Sequence, residues 1–320
     1  MRRALVTGAA GFVGQWLCHE LLRQGIAVTG TALGGEVPAG ALTADEKKAV
    51  TWRACDVTRM EDVRGAIEAS KPDAVFHLAG VAFVPAADKD PGAAVDVNVG
   101  AAARLLGDLR VRHAAGTLDP VVIIAGSGEQ YGRHDSADVP LRETTKQRPL
   151  SVYAASKAAQ EVIALEAHRS AGLKVIAARA FNHSGPWQAP QFLLPALVAR
   201  AVAAHKSGAK VVPIGNTTPV RDFSHVADVA RAYILLAQRG APGEAYNIAS
   251  GVGTDVAALA RLVLARAGVD AMLQPDPALQ RPVDVPALVG DASKLRAATG
   301  WTPERPLDTL IDELIRAASR

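Results

Sequence analysis

The chain has 320 residues, 49% of them hydrophobic and 21% charged, which is an ordinary globular mix with length enough for a sizeable core. Lys and Arg number 35 against 32 Asp and Glu, and a net charge of +3 is too small and too scattered to argue for nucleic acid. Two cysteines, Cys18 and Cys55, give neither a disulfide framework nor a metal-ligand spacing, and no apolar run approaches the roughly 20 residues of a membrane span. The opening "MRRALVTGAAG" breaks into glycines too soon for a signal peptide, so the expectation is a cytoplasmic protein without metal, membrane or nucleic-acid partner.

Residues 4–8, 26–32, 51–56, 74–80, 121–127 and 174–182 read as strands. They are almost continuously apolar, as strands buried on both faces of a parallel sheet must be. Helical patterns lie between them at about 12–24, 59–70, 92–112 and 151–171, while 33–48 reads as a loop rich in Gly, Pro and charge. This alternation predicts an α/β fold of the Rossmann type, a doubly wound parallel sheet. After 182 the texture changes. Pro186, Pro190, Pro195 and Pro213 interrupt the chain, helical patterns return at about 192–206, 225–239 and 254–268, and 275–291 is too proline-rich for a long helix. The expected organisation is a first unit over 1–182, to which about 211–250 partly returns, and a smaller C-terminal unit over 183–320.

"TGAAGFVG" (7–14) carries Gly8, Gly11 and Gly14 between the first strand and the first helix. Glycines there allow a tight turn, let backbone amides approach a pyrophosphate, and let helix and strand pack closely, while the helix N-terminus favours the anion. The bland alternative is a glycine-rich turn without a ligand. An NAD site usually places an acid about 20 residues on, at the end of the second strand, to hold the ribose 2′-hydroxyl. Here no Asp or Glu occurs before Glu36, and no arginine follows the strand end. That tilts the reading toward NADP(H), with NAD(H) as the alternative. Asp56, after the third strand, suits either an adenine edge or a helix N-cap.

In "SVYAASKAAQ" (151–160), Tyr153 and Lys157 stand four apart on one helix face, with Cβ atoms about 5–6 Å apart. A phenol with a pKa of about 10 is a poor acid–base at neutral pH, and a nearby ammonium is expected to lower it. Ser127, at the C-terminal end of a buried strand, is placed to hold the same reacting oxygen. The three together fit proton handling at a carbonyl/alcohol couple.

These residues, with "DV" (56–57), "HLAG" (77–80), "NVGAA" (98–102), "RAFNHSGP" (179–186), "RDFSHVADVARAY" (221–233) and "YNIASG" (246–251), resemble the extended short-chain dehydrogenases/reductases that modify nucleotide sugars. The motifs span nearly the whole chain in family order. The resemblance implies a catalytic Ser127, Tyr153 and Lys157. It also implies cofactor contacts from Gly8, Gly11, Phe12, Val13, Gly14, Asp56, Val57, Leu78, Ala79, Gly80 and Asn98 as well as Tyr153 and Lys157. Within the family, "NHSGP", "RPVDVP" (281–286) and "GDASKLRAATGWTP" (290–303) resemble the group of GDP-mannose 4,6-dehydratase and GDP-4-keto-6-deoxymannose reductase, and "HLAGVAFVPAADKDP" (77–91) is closer to the reductase. By that likeness Asn182, Arg221 and Arg281 would meet the substrate's diphosphate, as a guanidinium fork suits phosphate oxygens, and His183 would touch phosphate or sugar.

The dehydratase motif resembles Thr-Ser-Glu, where this chain has Ser127, Gly128 and Glu129. Glu129 is therefore either a catalytic carboxylate or a hydrogen bonder behind the site. Ala82 and Phe83 depart from the polar residues that relatives often carry. The leading expectation is an NAD(P)H-dependent reductase of a nucleotide-linked 4-keto-6-deoxy sugar, GDP-linked by likeness, which would yield GDP-D-rhamnose or a close epimer. A dehydratase or 4-epimerase of the same fold is the runner-up, and a non-catalytic dinucleotide-binding scaffold the distant third. The family also implies a homodimer through the small-residue helices at 92–112 and 151–171.

Overall fold

A computed structural model describes residues 1–280 and 285–319. A seven-stranded sheet forms its centre. In chain order the first six strands are β1 (Arg3–Thr7), β2 (Ala27–Ala32), β3 (Thr51–Ala54), β4 (Ala74–His77), β5 (Val121–Ser127) and β6 (Lys174–Ala180). The spatial order is β3-β2-β1-β4-β5-β6, all parallel, and a late strand, β10 (Ala245–Ile248), extends it beside β6. This is the doubly wound Rossmann arrangement, with its chain reversal between β1 and β4.

The alternation of side chains explains why this sequence makes this sheet. Leu5, Val75, Val122 and Val175 lie in register and face one helical layer, while Val6, Phe76, Ile123 and Ile176 face the other. All are buried, and each such side chain contributes about 1.5–3 kcal/mol on leaving water. The first layer holds α3 (Met60–Ser70), α6 (Ala101–Ala114) and α7 (Val152–Ala171). The second holds α1 (Phe12–Arg23) and α9 (Val226–Arg239), with α11 (Ser293–Thr299) at its edge.

Shorter helices fill the connections: α2 (Ala44–Ala49), α4 (Val84–Lys89) and α5 (Pro91–Val95). Two of these differ from the sequence reading. The loop expected at 33–48 runs into α2, whose N-cap Thr43 and Glu46 form a reciprocal capping box. The single helix expected at 92–112 is three pieces, because a π-helical turn at Asp96–Gly100 separates α5 from α6.

The remaining chain forms two smaller sheets and a separate helical core. The strand expected over 174–182 stops at Ala180, and β7 (Asn182–Ser184) leaves to pair with β9 (Val220–His225). β8 (Val211–Ile214) lies before β9 in the chain, and β10 (Ala245–Ile248) and β11 (Gly253–Asp255) follow it. β12 (Met272–Pro275) pairs with β8, while β11 and β13 (Ala287–Leu288) flank β9. A separate core forms among α8 (Leu193–Ser207), α10 (Val256–Arg266) and α12 (Leu307–Ala318). Of residues 211–250, then, only α9 and β10 join the large sheet and its helical layer. Among the described residues no helix is long and apolar enough to cross a membrane.

Candidate active site

The turn after β1 is shaped by missing side chains. Gly8 has φ +70°, and a Cβ on it would stand 2.8 Å from the Ala79 amide nitrogen. A Cβ on Gly14 would stand 2.3 Å from the Gly8 carbonyl oxygen. Gly11 donates to that carbonyl at 3.0 Å and begins α1 without a side-chain cap or an acid in the first turn. The first amides of α1 thus keep their pull on an anion. Leu78 and Ala79 run alongside, bonded from their amides to the Thr7 carbonyl and hydroxyl oxygens. This backbone cradle fits a dinucleotide pyrophosphate. Val13 packs against the core, and Phe12 stacks on His183 at 6.4 Å.

Just past β3, Asp56 accepts from the Thr58 amide (2.9 Å) and hydroxyl (2.7 Å), bonds that hold its carboxyl below the usual range. The N-cap of α3 is Arg59, so Asp56 caps a turn and not the helix. Val57 is buried beside His77, whose pKa burial lowers to about 3. The sequence reading found no arginine near the end of β2, but strand pairing supplies one. Arg53 of β3 lies opposite Thr31, exposed and without a hydrogen bond or ion pair among the described residues. Gly80 is pressed against Asn98, since a Cβ would stand 2.7 Å from Asn98 Oδ1. Asn98, buried in the π-helical turn, accepts from the Val81 amide (2.8 Å) and donates to the Val81 carbonyl (3.2 Å) and Ser156 Oγ (2.8 Å). It fixes the loop that would meet the cofactor.

Ser127 ends β5, and its hydroxyl and the Tyr153 phenol share a hydrogen bond. Lys157, one turn along α7, points its Nζ at the Ala125 carbonyl (2.9 Å) and Gln160 Oε1 (3.0 Å). The expected lowering of the Tyr153 pKa is corrected by this geometry. The ammonium is engaged elsewhere, and burial together with the nearby Glu129 charge pushes the phenol up to about 12. Burial lowers Lys157 to about 8. Gly128 sits under Phe181, where a Cβ would meet the ring at 2.9 Å, so a larger residue between Ser127 and Glu129 has no room.

Behind this turn lies a buried polar chain that the sequence reading missed. The Ser127 amide donates to Gln130 Oε1 (2.6 Å), and Gln130 Nε2 donates to Glu161 Oε2 (3.0 Å). Glu161 lies eight residues after Tyr153 and four after Lys157 on α7 and accepts both prongs of the Arg179 fork, at 2.8 and 2.5 Å. Arg179 Nη1 reaches the Tyr131 hydroxyl (2.7 Å), which donates to Asn247 Oδ1 (2.7 Å) on β10. Tyr131 is therefore a packing residue, its phenol pushed up to about 12 by burial.

Asn182 begins β7, and its buried Oδ1 has no hydrogen-bond partner among the described residues. His183, its pKa lowered by burial, donates from Nδ1 to the Phe181 carbonyl at 2.9 Å. Arg221 is buried, and its Nη1 donates to the carbonyls of Val220 (2.9 Å) and Val285 (2.7 Å). Arg281 lies outside the described residues. Asp222 ties the Ser250, Gly251 and Gly290 amides together. His225 accepts from the Ala227 amide and donates to Glu313 at 3.0 Å, a structural pair. Phe83 meets Phe192 edge to face at 5.7 Å.

A glycine-shaped dinucleotide cradle, a doubly wound sheet and a Ser–Tyr–Lys cluster at its C-terminal edge define a short-chain dehydrogenase/reductase. A family model described as GDP-mannose 4,6 dehydratase matches residues 5–314, and the chain belongs to that family. It is 36% identical over 235 residues to the GDP-6-deoxy-D-mannose reductase of Pseudomonas aeruginosa, covering 73% of this chain and 76% of the relative. The structure of RMD from Pseudomonas aeruginosa complexed with NADPH superposes with a TM-score of 0.83 at 28% identity, covering 99% of each chain. That of the Thermus thermophilus UDP-glucose 4-epimerase in complex with NAD also gives 0.83 at 28% identity, again over 99% of each.

Proposed function

We propose that the protein is an NADP(H)-dependent reductase of a GDP-linked 4-keto-6-deoxy sugar, with NAD(H) as a poorer cofactor. The bound nicotinamide would supply the hydride, and the chain's own groups handle the oxygen and its proton. Ser127 and Tyr153 converge on one oxygen position, and Tyr153 gives its proton to the oxygen at C4 as negative charge develops there. The observation that carries the direction is the 36% identity to the GDP-6-deoxy-D-mannose reductase over 73% of the chain. Burial raises the phenol's pKa and keeps it protonated, as the acid of a reduction must be. Lys157 anchors the floor beneath it through the Ala125 carbonyl. Asn182 and Arg221 are the proposed diphosphate contacts, with Arg281 from the sequence motif and His183 beside them.

The similarity to an NADPH-bound reductase and the missing acid at the end of β2 support NADP(H). Arg53 adds a guanidinium suited to the 2′-phosphate. A second reading, dehydratase or epimerase, is favoured by one observation, the Glu129 charge beside Tyr153. The test is nicotinamide oxidation with GDP-4-keto-6-deoxymannose, using NADPH and NADH in turn. Steady consumption that falls by about 100-fold or more in Tyr153→Phe is expected. Conversion of GDP-mannose to a keto sugar without net NADPH consumption would sink the reductase and make Glu129 the base to test.

The same reading assigns 1–182, with α9 and β10, to dinucleotide binding and most of 183–320 to the substrate, in a cytoplasmic homodimer. Exposed Ala103 and Val111 on α6, with Ala155, Ala159 and Val162 on α7, offer a flat small-residue face for that dimer. Sedimentation at micromolar concentration should give twice the chain mass, and a monomer would remove the dimer from the proposal.

A further inference from the structure

The segment that leaves Asn182 and His183 makes a tight turn at Gly185-Pro186-Trp187-Gln188, closed by the Gln188 amide on the Gly185 carbonyl at 3.2 Å. Proline at the second place and a positive φ at the third are the marks of a turn whose third residue is ordinarily glycine. Here that residue is Trp187, with φ 76°. A bulky side chain in the left-handed region carries strain that persists only where the surroundings force it, and such positions gather at ligand sites.

The surroundings force this one from several sides. Trp16 Nε1 of α1 donates to the Pro186 carbonyl at 3.3 Å. Gln188 Nε2 donates to the His183 carbonyl at 3.2 Å and its Oε1 accepts from Ser184 Oγ at 2.6 Å. At the far end of the loop, Phe192 is set against Phe83. Yet the indole held by all this is 59% exposed, with no ring neighbour and no hydrogen bond among the described residues. A rigid turn thus presents a large flat apolar face to solvent, a few residues beyond the unpartnered Asn182 Oδ1.

We propose that Trp187 is the platform on which the nucleobase of the nucleotide-linked sugar stacks. This rests on the proposed nucleotide-sugar substrate. Of that substrate's parts, the base has the flat aromatic face that best matches an indole, whereas the diphosphate calls for hydrogen-bonding groups. Placing the base on the loop past Asn182 leaves the diphosphate beside Asn182 and points the sugar back toward Ser127 and Tyr153.

Calorimetric titration of the full chain with GDP alone tests it, in wild type, Trp187→Gly and Trp187→Phe. Trp187→Gly should weaken GDP by about tenfold or more, while Trp187→Phe, which keeps a stacking ring, stays much closer to wild type. NADPH binding should be unchanged in both. The melting temperature of Trp187→Gly should not fall, because glycine adopts the turn without strain. GDP bound as tightly by Trp187→Gly as by wild type, with the keto sugar still reduced, overturns the platform and leaves the function standing. Wild type that neither binds GDP nor reduces the keto sugar overturns both. A melting temperature several degrees lower, or a changed solution mass, with GDP affinity intact would make the indole a packing or subunit-contact group and reject the proposal.

Discussion

Two turns at the C-terminal ends of β1 and β5, the strands on either side of β4, do different work by opposite means. The turn after β1 is defined by absence, since Gly8 and Gly14 leave no room for a methyl group. The turn after β5 is defined by presence. Ser127 is held through Gln130 to the buried Glu161–Arg179 pair. A backbone cradle is vulnerable to added atoms, and a side-chain scaffold to removed partners.

The largest expected effect falls on the second turn. Glu161→Gln leaves Arg179 buried without its counter-charge and should cost about 3–5 kcal/mol in denaturant unfolding. Burial alone would raise the Glu161 pKa, but the Arg179 fork with Gln130 and Gln147 brings it below the ordinary value. Its stabilisation is therefore complete above the unfolded carboxyl's pKa and is lost as pH falls through the lower folded value. The variant should lack that acid-side loss. An equally stable variant would break the contrast between the turns.

Next is the first turn, where Gly14→Ala forces a methyl against the Gly8 carbonyl. NADPH affinity should fall about tenfold, with about 1–3 kcal/mol of overpacking cost, both read by calorimetry. Arg53→Ala should then lower kcat/KM for NADPH about tenfold while leaving NADH unaffected, as loss of a phosphate partner requires. The smallest effect is on pH. Burial sets Lys157 near 8, so its ammonium is lost as pH rises through that value, and the rate should decline there. Lys157→Arg should move that limb upward, since guanidinium does not titrate in this range. A limb that stays put would assign it to another group.

What could be read beforehand follows from the reach of each signal. The strand runs name the buried rows of the sheet because alternation is local. The Thr43–Glu46 capping box was legible too, though hidden in a stretch whose Gly and Pro content reads as loop. Glu161 shares the spacing of Tyr153 and Lys157 and was available to the same argument. Arg53 and Arg179 were not, because β pairing across distant segments brings them to the site. The break in the helix at 96–100 depends on what Asn98 grips, namely Val81 and Ser156, which no helical periodicity reveals. Four-residue spacing put Lys157 on the face of Tyr153 but could not say that its Nζ would turn to the Ala125 carbonyl.

The contact of Phe181 with Gly128 also constrains history. Changing Ser-Gly-Glu to Thr-Ser-Glu is not a change to the turn alone, because a side chain at residue 128 would press on the Phe181 ring at 2.9 Å. The Phe181 ring would have to shift, and it is stacked on Tyr131 at 5.9 Å. A directed-evolution route toward dehydration chemistry therefore has residue 181 to reckon with, although it lies outside the motif being rebuilt.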